Sequence, residues 1–287
     1  MNETTSEPLA TQLKALWGAS RLPGFAHSTV VVTPAPWQET LRRLHQLIGV
    51  RACGLLHGPH GVGKSFLLHQ LSEQLSPKQY RVVRLVHTTL MGSDLLRQLI
   101  RLAGQTASHR RSDNVLALRA LWPQWSPLWP VVIVDEAQNL NAQALEELRL
   151  LTCEGADTQP PFSLILTGDD DLLPRLSLGI NRALLSRLGF SLALTAWPLA
   201  AMRDYLQRRL NEVGLHTSPL EPAGEELLLQ SAGGLPRTLN WLLQRALETA
   251  AAANRRSVNI ADVQAALDTL PWVARVAARS AEMRGET

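Results

Sequence analysis

Eight consecutive residues, Gly58-Pro-His-Gly-Val-Gly-Lys-Ser65, fit the pattern GxxxxGK[ST] between a short apolar run and a helical one. The pattern suits a nucleotide's phosphates. Its glycines let the backbone wrap tightly, so that N–H groups and the next helix N-terminus surround a β-phosphate. Lys64 would reach the β- and γ-phosphates, and the Ser65 hydroxyl would bind Mg2+. The run expected to touch the nucleotide is Gly58, Pro59, His60, Gly61, Val62, Gly63, Lys64, Ser65 and Phe66, with ATP and Mg2+ as the cofactors.

A second group supports the first. Val131–Val134 runs directly into Asp135-Glu136. An aspartate at the end of a buried strand beside a phosphate loop can hold Mg2+ through water, and the adjacent glutamate can polarise an attacking water as general base. The same pair could merely cap the next helix. Thr167 ends the next apolar run and is placed to sense a γ-phosphate, although Thr-Gly-Asp is equally a plain turn. Arg182 and Arg187 precede the last apolar run; Arg187 could enter a neighbouring subunit's site and offset transition-state charge, whereas solvation suits Arg182 better. Arg237, in Gly233-Gly-Leu-Pro-Arg237, opens a helix with Pro236 at its start and could reach back to the nucleotide.

These residues need a scaffold. Apolar spacing predicts a helix over Glu39–Ile48, a strand over Ala52–His57, a helix over Lys64–Leu75, a strand over Tyr80–Val86 and a helix over Ser93–Ala103. Strands follow at Val131–Val134, Ser163–Thr167 and Phe190–Leu194, with a helix over Asn141–Leu151. Alternation of this kind means an α/β fold with a parallel sheet and crossover helices. From Pro198 only helices follow: Ala200–Val213, Gly224–Gln230, Pro236–Ala252 and Ile260–Leu270. The expected division is an arm (1–36), a nucleotide-binding core (37–198), an all-helical lid (199–271) and a tail (272–287). Trp122–Pro130 (WPQWSPLWP) reads as a proline-broken loop before a buried strand.

Charge is unevenly distributed. Of 28 basic residues only Lys14, Lys64 and Lys78 are lysines. Arg81 to Arg111 hold six arginines against Asp94, while Asp135 to Asp171 hold nine acids against Arg149. This sorting suggests one anion-facing surface and one that handles cations. Within the basic stretch Thr88, Thr89, Arg97, Arg101, Arg110 and Arg111 suit the backbone of duplex DNA, with Arg97 and Arg101 on one helix face; no aromatics are interleaved for base stacking. A solvated helix face is the alternative, and Arg255 and Arg256 are the next choice for DNA. The longest uncharged stretches, Leu22–Gln38 and Leu188–Met202, are broken by polar residues and prolines, so no membrane span is expected. Met1–Glu7 carries two acids and no base, unlike a secretory signal. Cys53 and Cys153 lack metal-ligand spacing, and a cytoplasmic setting is expected.

The order phosphate loop, hhhhDE, strand-end Thr, arginine before the fifth strand and GLPR in a helical lid resembles an AAA+ ATPase over roughly residues 37 to 270. More narrowly, the chain resembles the ATPases of bacterial transposon target selection, the TnsC, TniB and MuB group with its ExeA-like relatives. The residues concerned are Trp17-Gly-Ala-Ser-Arg-Leu-Pro23, similar to an FGhxxxPF opening, with DEAQNL at Asp135–Leu140, EELRLLT at Glu146–Thr152 and GLPRTLN at Gly234–Asn240. These relatives often carry Gly-Gln-Pro-Glu-Leu where this chain has Gly168-Asp-Asp-Asp-Leu172, so Asp169 departs at the sensor. The resemblance implies a five-stranded doubly wound sheet with a lid, ATP between subunits of a homo-oligomeric ring or filament on duplex DNA, and transfer of the target to a transposase, with a target-selection protein as further partner. Secretion ATPases of the ExeA type share the core but continue into a membrane span and a wall-binding region. Helicases would need a second motor domain, and origin-recognition ATPases a winged helix after the lid.

Overall fold

A computed structural model of the protein describes residues 9–20, 34–86, 90–153, 159–270 and 272–273. The chain begins α1 (Leu9–Trp17), α2 (Ala35–Gly49), β1 (Cys53–His57), α3 (Lys64–Gln74), β2 (Tyr80–Leu85), α4 (Gly92–Leu102) and α5 (Arg111–Gln124). It continues β3 (Trp129–Val134), α6 (Ala142–Leu151), β4 (Ser163–Gly168), α7 (Leu172–Ser177), α8 (Arg182–Leu185) and β5 (Leu188–Ala193). Four helices close it: α9 (Leu199–Glu212), α10 (Pro222–Ser231), α11 (Pro236–Ala252) and α12 (Ile260–Thr269).

The five strands form one sheet in the order β2-β3-β4-β1-β5, with every pairing parallel. Parallel strands must be covered on both faces, and the inner strands accordingly read as unbroken apolar runs. β4 is buried along its whole length, and β3 from Pro130 onward. The edge strands β2 and β5 alternate between more and less buried positions. On one face Val83, Leu85, Val132, Val134, Leu164 and Leu166 pack with Leu95, Leu99, Leu118 and Leu148 of α4, α5 and α6. α2 covers the other face: a side chain at Gly54 would meet Leu47 at 2.3 Å.

Two elements differ from the sequence expectation. Helix α5 was not anticipated, because Arg110 and Arg111 were assigned to a basic stretch; Leu118, Leu121 and Trp122 supply its buried side. The tryptophan-rich stretch is also more ordered than a broken loop. Trp122 packs edge-on to Trp125 at 5.3 Å and against Phe162 at 5.1 Å. β3 starts at Trp129 and includes Pro130 although it is an inner strand. Trp129 N–H donates to Gln79 O, so the next position turns toward β4, whose ladder begins only at Val131. The missing proline N–H therefore costs no sheet hydrogen bond.

Contacts divide the chain into two compact units. The α/β unit takes Ala35–His60 and Lys64–Thr195; the helical unit takes the described residues before Ala35, Gly61–Gly63, and those from Ala196 onward. In the helical unit α11 is central, with Leu239, Leu242, Leu243, Ala246 and Leu247 fully buried. α12 opens with a reciprocal cap, Asn259 accepting from the Asp262 N–H and Asp262 from the Asn259 N–H. Helix α1, expected in a separate arm, packs on α11, and Trp17 Nε1 donates to Arg256 O at 2.6 Å.

Phe162 is 1% exposed and packs against Trp122 of α5. Phe162→Ala is expected to lower the unfolding free energy by about 3–5 kcal/mol, measured by urea denaturation.

Candidate nucleotide site

β1 delivers the chain to Gly58 at a point where only glycine fits. Gly58 has φ 155°, and a Cβ there would lie 2.2 Å from Leu194 O. Leu194 N–H in turn donates to His57 O at 2.7 Å, which fixes the start of the loop against the end of β5. Gly63 has φ 106° at the last position before α3. Lys64, 5% exposed, opens α3 and donates from Nζ to Gly58 O (2.6 Å) and Pro59 O (3.1 Å). Burial pushes its ammonium below the usual lysine range, while the carboxylates of Glu136, Asp169, Asp170 and Asp135 oppose that shift. Ser65 is exposed on the first turn of α3. The Phe66 ring lies 6.5 Å from that of Trp37 in α2, so Phe66 also takes part in helix packing.

The ladder brings the remaining groups to the same level. Leu56 is in register with Thr167, and Leu166 with Val134, so Thr167 and Asp135 stand beside the end of β1. The Thr167 hydroxyl is buried without a hydrogen-bond partner. Asp135, 2% exposed, accepts from the Glu136 N–H at 3.1 Å. Glu136 has φ 52°, a left-handed conformation uncommon outside glycine and frequent where strain serves a site. Gln138 Nε2 donates to Glu136 Oε2 at 2.7 Å. Asp169, the departure noted in the sequence, meets His60 Nε2 at 3.1 Å across the loop.

Three features here were not read from the sequence. Arg84 Nη2 donates to Asp135 Oδ2 at 2.8 Å. Arg175 of α7 donates to the carbonyls of Gln138 and Leu140, pinning the turn after Glu136. Gln138 itself orients Glu136. The signal for Arg84 was present: it ends the Tyr80, Val82, Arg84 face of an alternating strand, next to a strand ending in an acid.

One expected residue is separated from this group. Arg187 precedes β5 and lies near Cys53, the first residue of β1, where its guanidinium contacts Thr152 O at 3.4 Å. Four strand residues separate that level from the phosphate loop, about 13 Å along the sheet. The helical unit holds Arg237, whose N–H donates to Gly61 O at 3.3 Å, and Trp197, whose Nε1 donates to Val62 O at 3.2 Å.

Of the DNA candidates, Thr88 and Thr89 lie outside the described residues. Arg97 is paired with Asp94 (2.7 Å) and Arg111 with Glu147 (2.5 Å), whereas Arg101 and Arg110 are exposed. Arg255 is held by Asp262. No described helix is long and apolar enough to cross a membrane.

A family model described as an AAA domain matches residues 42–176, which include the phosphate loop, Asp135, Glu136 and Thr167. The described residues have the AAA+ P-loop fold, a five-stranded parallel sheet followed by helices. It is 28% identical over 221 residues to General secretion pathway protein A of Aeromonas hydrophila, covering 74% of this chain; it spans only 39% of that relative's length. Among solved structures it is similar to Cdc6p of Pyrobaculum aerophilum, with TM-score 0.68, 19% identity, 84% of this chain and 69% of that one. It is also similar to the ORC1 protein of Aeropyrum pernix in complex with DNA, with TM-score 0.64, 18% identity, 85% of this chain and 66% of that one.

A buried hydroxyl without a protein partner carries a cost that a bound group would offset. Thr167→Val is therefore expected to leave the nucleotide-free protein at least as stable while reducing ATP turnover. Urea melts and phosphate release on the same preparation check both.

Proposed function

We propose that this chain is an ATPase that assembles on duplex DNA with ATP bound and releases it on hydrolysis. In this reading it serves DNA transposition, presenting target DNA to a transposase under the direction of a target-selection protein. The observation that carries the ATPase reading is the convergence of Lys64, Asp135, Glu136 and Thr167 at the ends of neighbouring parallel strands, where α/β sheets place their ligands. The residues fit the nucleotide: the loop is shaped by glycines, the lysine is at its mouth, and the buried Thr167 hydroxyl awaits a partner.

Loop N–H groups and Lys64 would bind the β- and γ-phosphates, with Arg237 beside the loop at Gly61. Mg2+, when bound, withdraws charge from the phosphate oxygens; Ser65 would ligate it and Asp135 hold its water. Mg2+ needs few protein ligands when phosphates supply the rest, and among the described residues no group of three His, Cys, Asp or Glu is arranged to hold a metal alone. Glu136, oriented by Gln138, would accept the proton of the attacking water, and Thr167 would hold the γ-phosphate side. Arg187 is too far along the sheet from its own loop, which favours action on the next subunit of a homo-oligomer, a ring or helical filament.

Support for DNA comes from exposed Arg101 and Arg110 and from likeness to a protein solved with DNA. Support for transposition comes from the residues shared with the target-selection group. A cytoplasmic setting, where ATP and DNA meet, accords with both. The relative from A. hydrophila favours a second reading, an assembly switch run by ATP without DNA.

Lys64→Ala is expected to abolish ATP binding and assembly together, whereas Glu136→Gln retains ATP and locks the assembled state on DNA. Replacing Arg101 and Arg110 with alanine should lower the log–log salt slope of DNA affinity by up to about 0.9 per arginine, with little response to sequence. Co-sedimentation with duplex DNA across a salt series reads all three; assembly with ATP but no DNA association would select the second reading.

Arg187→Ala subunits are expected to bind nucleotide yet fail to hydrolyse it. Mixing them with Lys64→Ala subunits should restore part of the turnover, since each supplies what its neighbour lacks. No rescue would place Arg187 outside the catalytic apparatus.

A further inference from the structure

The Asp135 carboxylate is nearly shut off from water, with 3% of its side chain exposed, and its two oxygens have different partners. Oδ1 accepts the Glu136 N–H, a neutral backbone donor. Oδ2 accepts from Arg84 Nη2 at 2.8 Å, the one full positive charge that the described ion pairs bring to this acid. The same Nη2 lies 3.4 Å from Ser65 O at the first turn of α3. Arg84 thus reaches the Asp135 carboxylate and the Ser65 backbone, the two residues assigned to the metal.

Its own bonding is incomplete. Nε of Arg84 is buried with no hydrogen-bond partner among the described residues. β2 is an edge strand, and 27% of the Arg84 side chain is exposed, so the guanidinium has a path outward. A buried carboxylate with no cation is strongly disfavoured. Two cations competing for one carboxylate repel one another.

We infer that Arg84 is the resident counter-cation of Asp135: it balances and aims the carboxylate when no metal is bound, gives way when Mg2+ enters, and so sets the magnesium concentration needed for nucleotide uptake. This rests on the reading of Asp135 as the magnesium-side acid. Arg84 is a positioning residue, acting through Asp135. Its charge opposes entry of the metal at Asp135, so more Mg2+ is needed to displace it than an uncharged side chain would require.

The test uses the full-length chain with Arg84→Gln and Arg84→Lys. Thermal melts are run without nucleotide, and binding of a fluorescent ATP analogue is titrated against Mg2+. Arg84→Gln should melt about 5 °C or more below wild type without nucleotide, through loss of the cation paired with a buried acid. Its half-saturating Mg2+ should fall about tenfold, because a like charge beside the ion is gone. Adding Asp135→Asn to Arg84→Gln should recover part of the lost melting temperature, which a general packing defect would not do. Arg84→Lys keeps a charge but loses the fork, and should need about two- to threefold less Mg2+; it carries the test if the glutamine variant does not fold. A wild-type magnesium requirement in the folded variants overturns this inference alone. If wild type takes up no nucleotide at any Mg2+ concentration, the nucleotide reading falls and this inference falls with it.

Discussion

Three inner strands that run parallel and are buried on both faces leave the α/β unit little freedom. The buried N–H and C=O groups of β3, β4 and β1 find their partners within the ladder, because water does not reach the middle of the sheet. The register that satisfies them sets Leu56 beside Thr167 and Leu166 beside Val134. Asp135, the first residue beyond β3, is thereby set level with Thr167 and with Leu56, two residues before Gly58, so a loop, an acid pair and a hydroxyl from distant parts of the chain meet at one end of the sheet. A slip of one residue in any pairing would turn Thr167 to the other face and undo the site.

Charge in this protein is arranged by the fold more than by the sequence. The basic stretch from Arg81 and the acidic stretch from Asp135 suggest two opposed surfaces, yet two arginines of the first pair with carboxylates of the second: Arg84 with Asp135 and Arg111 with Glu147. Arg81 lies over the Trp125 ring at 4.5 Å, and Arg97 is tied to Asp94. The adjoining strands β2 and β3 bring the stretches together. Arg101 and Arg110 are exposed and in none of the described ion pairs.

Around the acid pair, positions are held by residues that do no chemistry themselves. Arg175 fixes the turn through two carbonyls, Gln138 holds Glu136, and the left-handed backbone at Glu136 is kept by those contacts. Strain of this kind survives only where neighbours determine the geometry. In the helical unit the equivalent work is done by the Asn259–Asp262 cap, with Arg255 bound to the same aspartate; an arginine that looked available for DNA is thereby an internal strut.

The phosphate loop, the acid pair at a strand end, the alternation of strands and helices and the later all-helical stretch were legible in the amino-acid sequence, because each is a local pattern: glycines where the chain must wrap, apolar runs where it must be buried, period 3.6 where a helix has one dry side. Helix α5 is masked in the sequence for a local reason too: arginines stand at its start, ahead of the buried Leu118, Leu121 and Trp122. Strand order, the pairing of Arg84 with Asp135, the unpartnered hydroxyl of Thr167 and the placement of Arg187 at the far end of the sheet were decided by tertiary structure alone. Each depends on which strands lie side by side. That choice is made by the summed burial of whole faces, and no short run of residues records it.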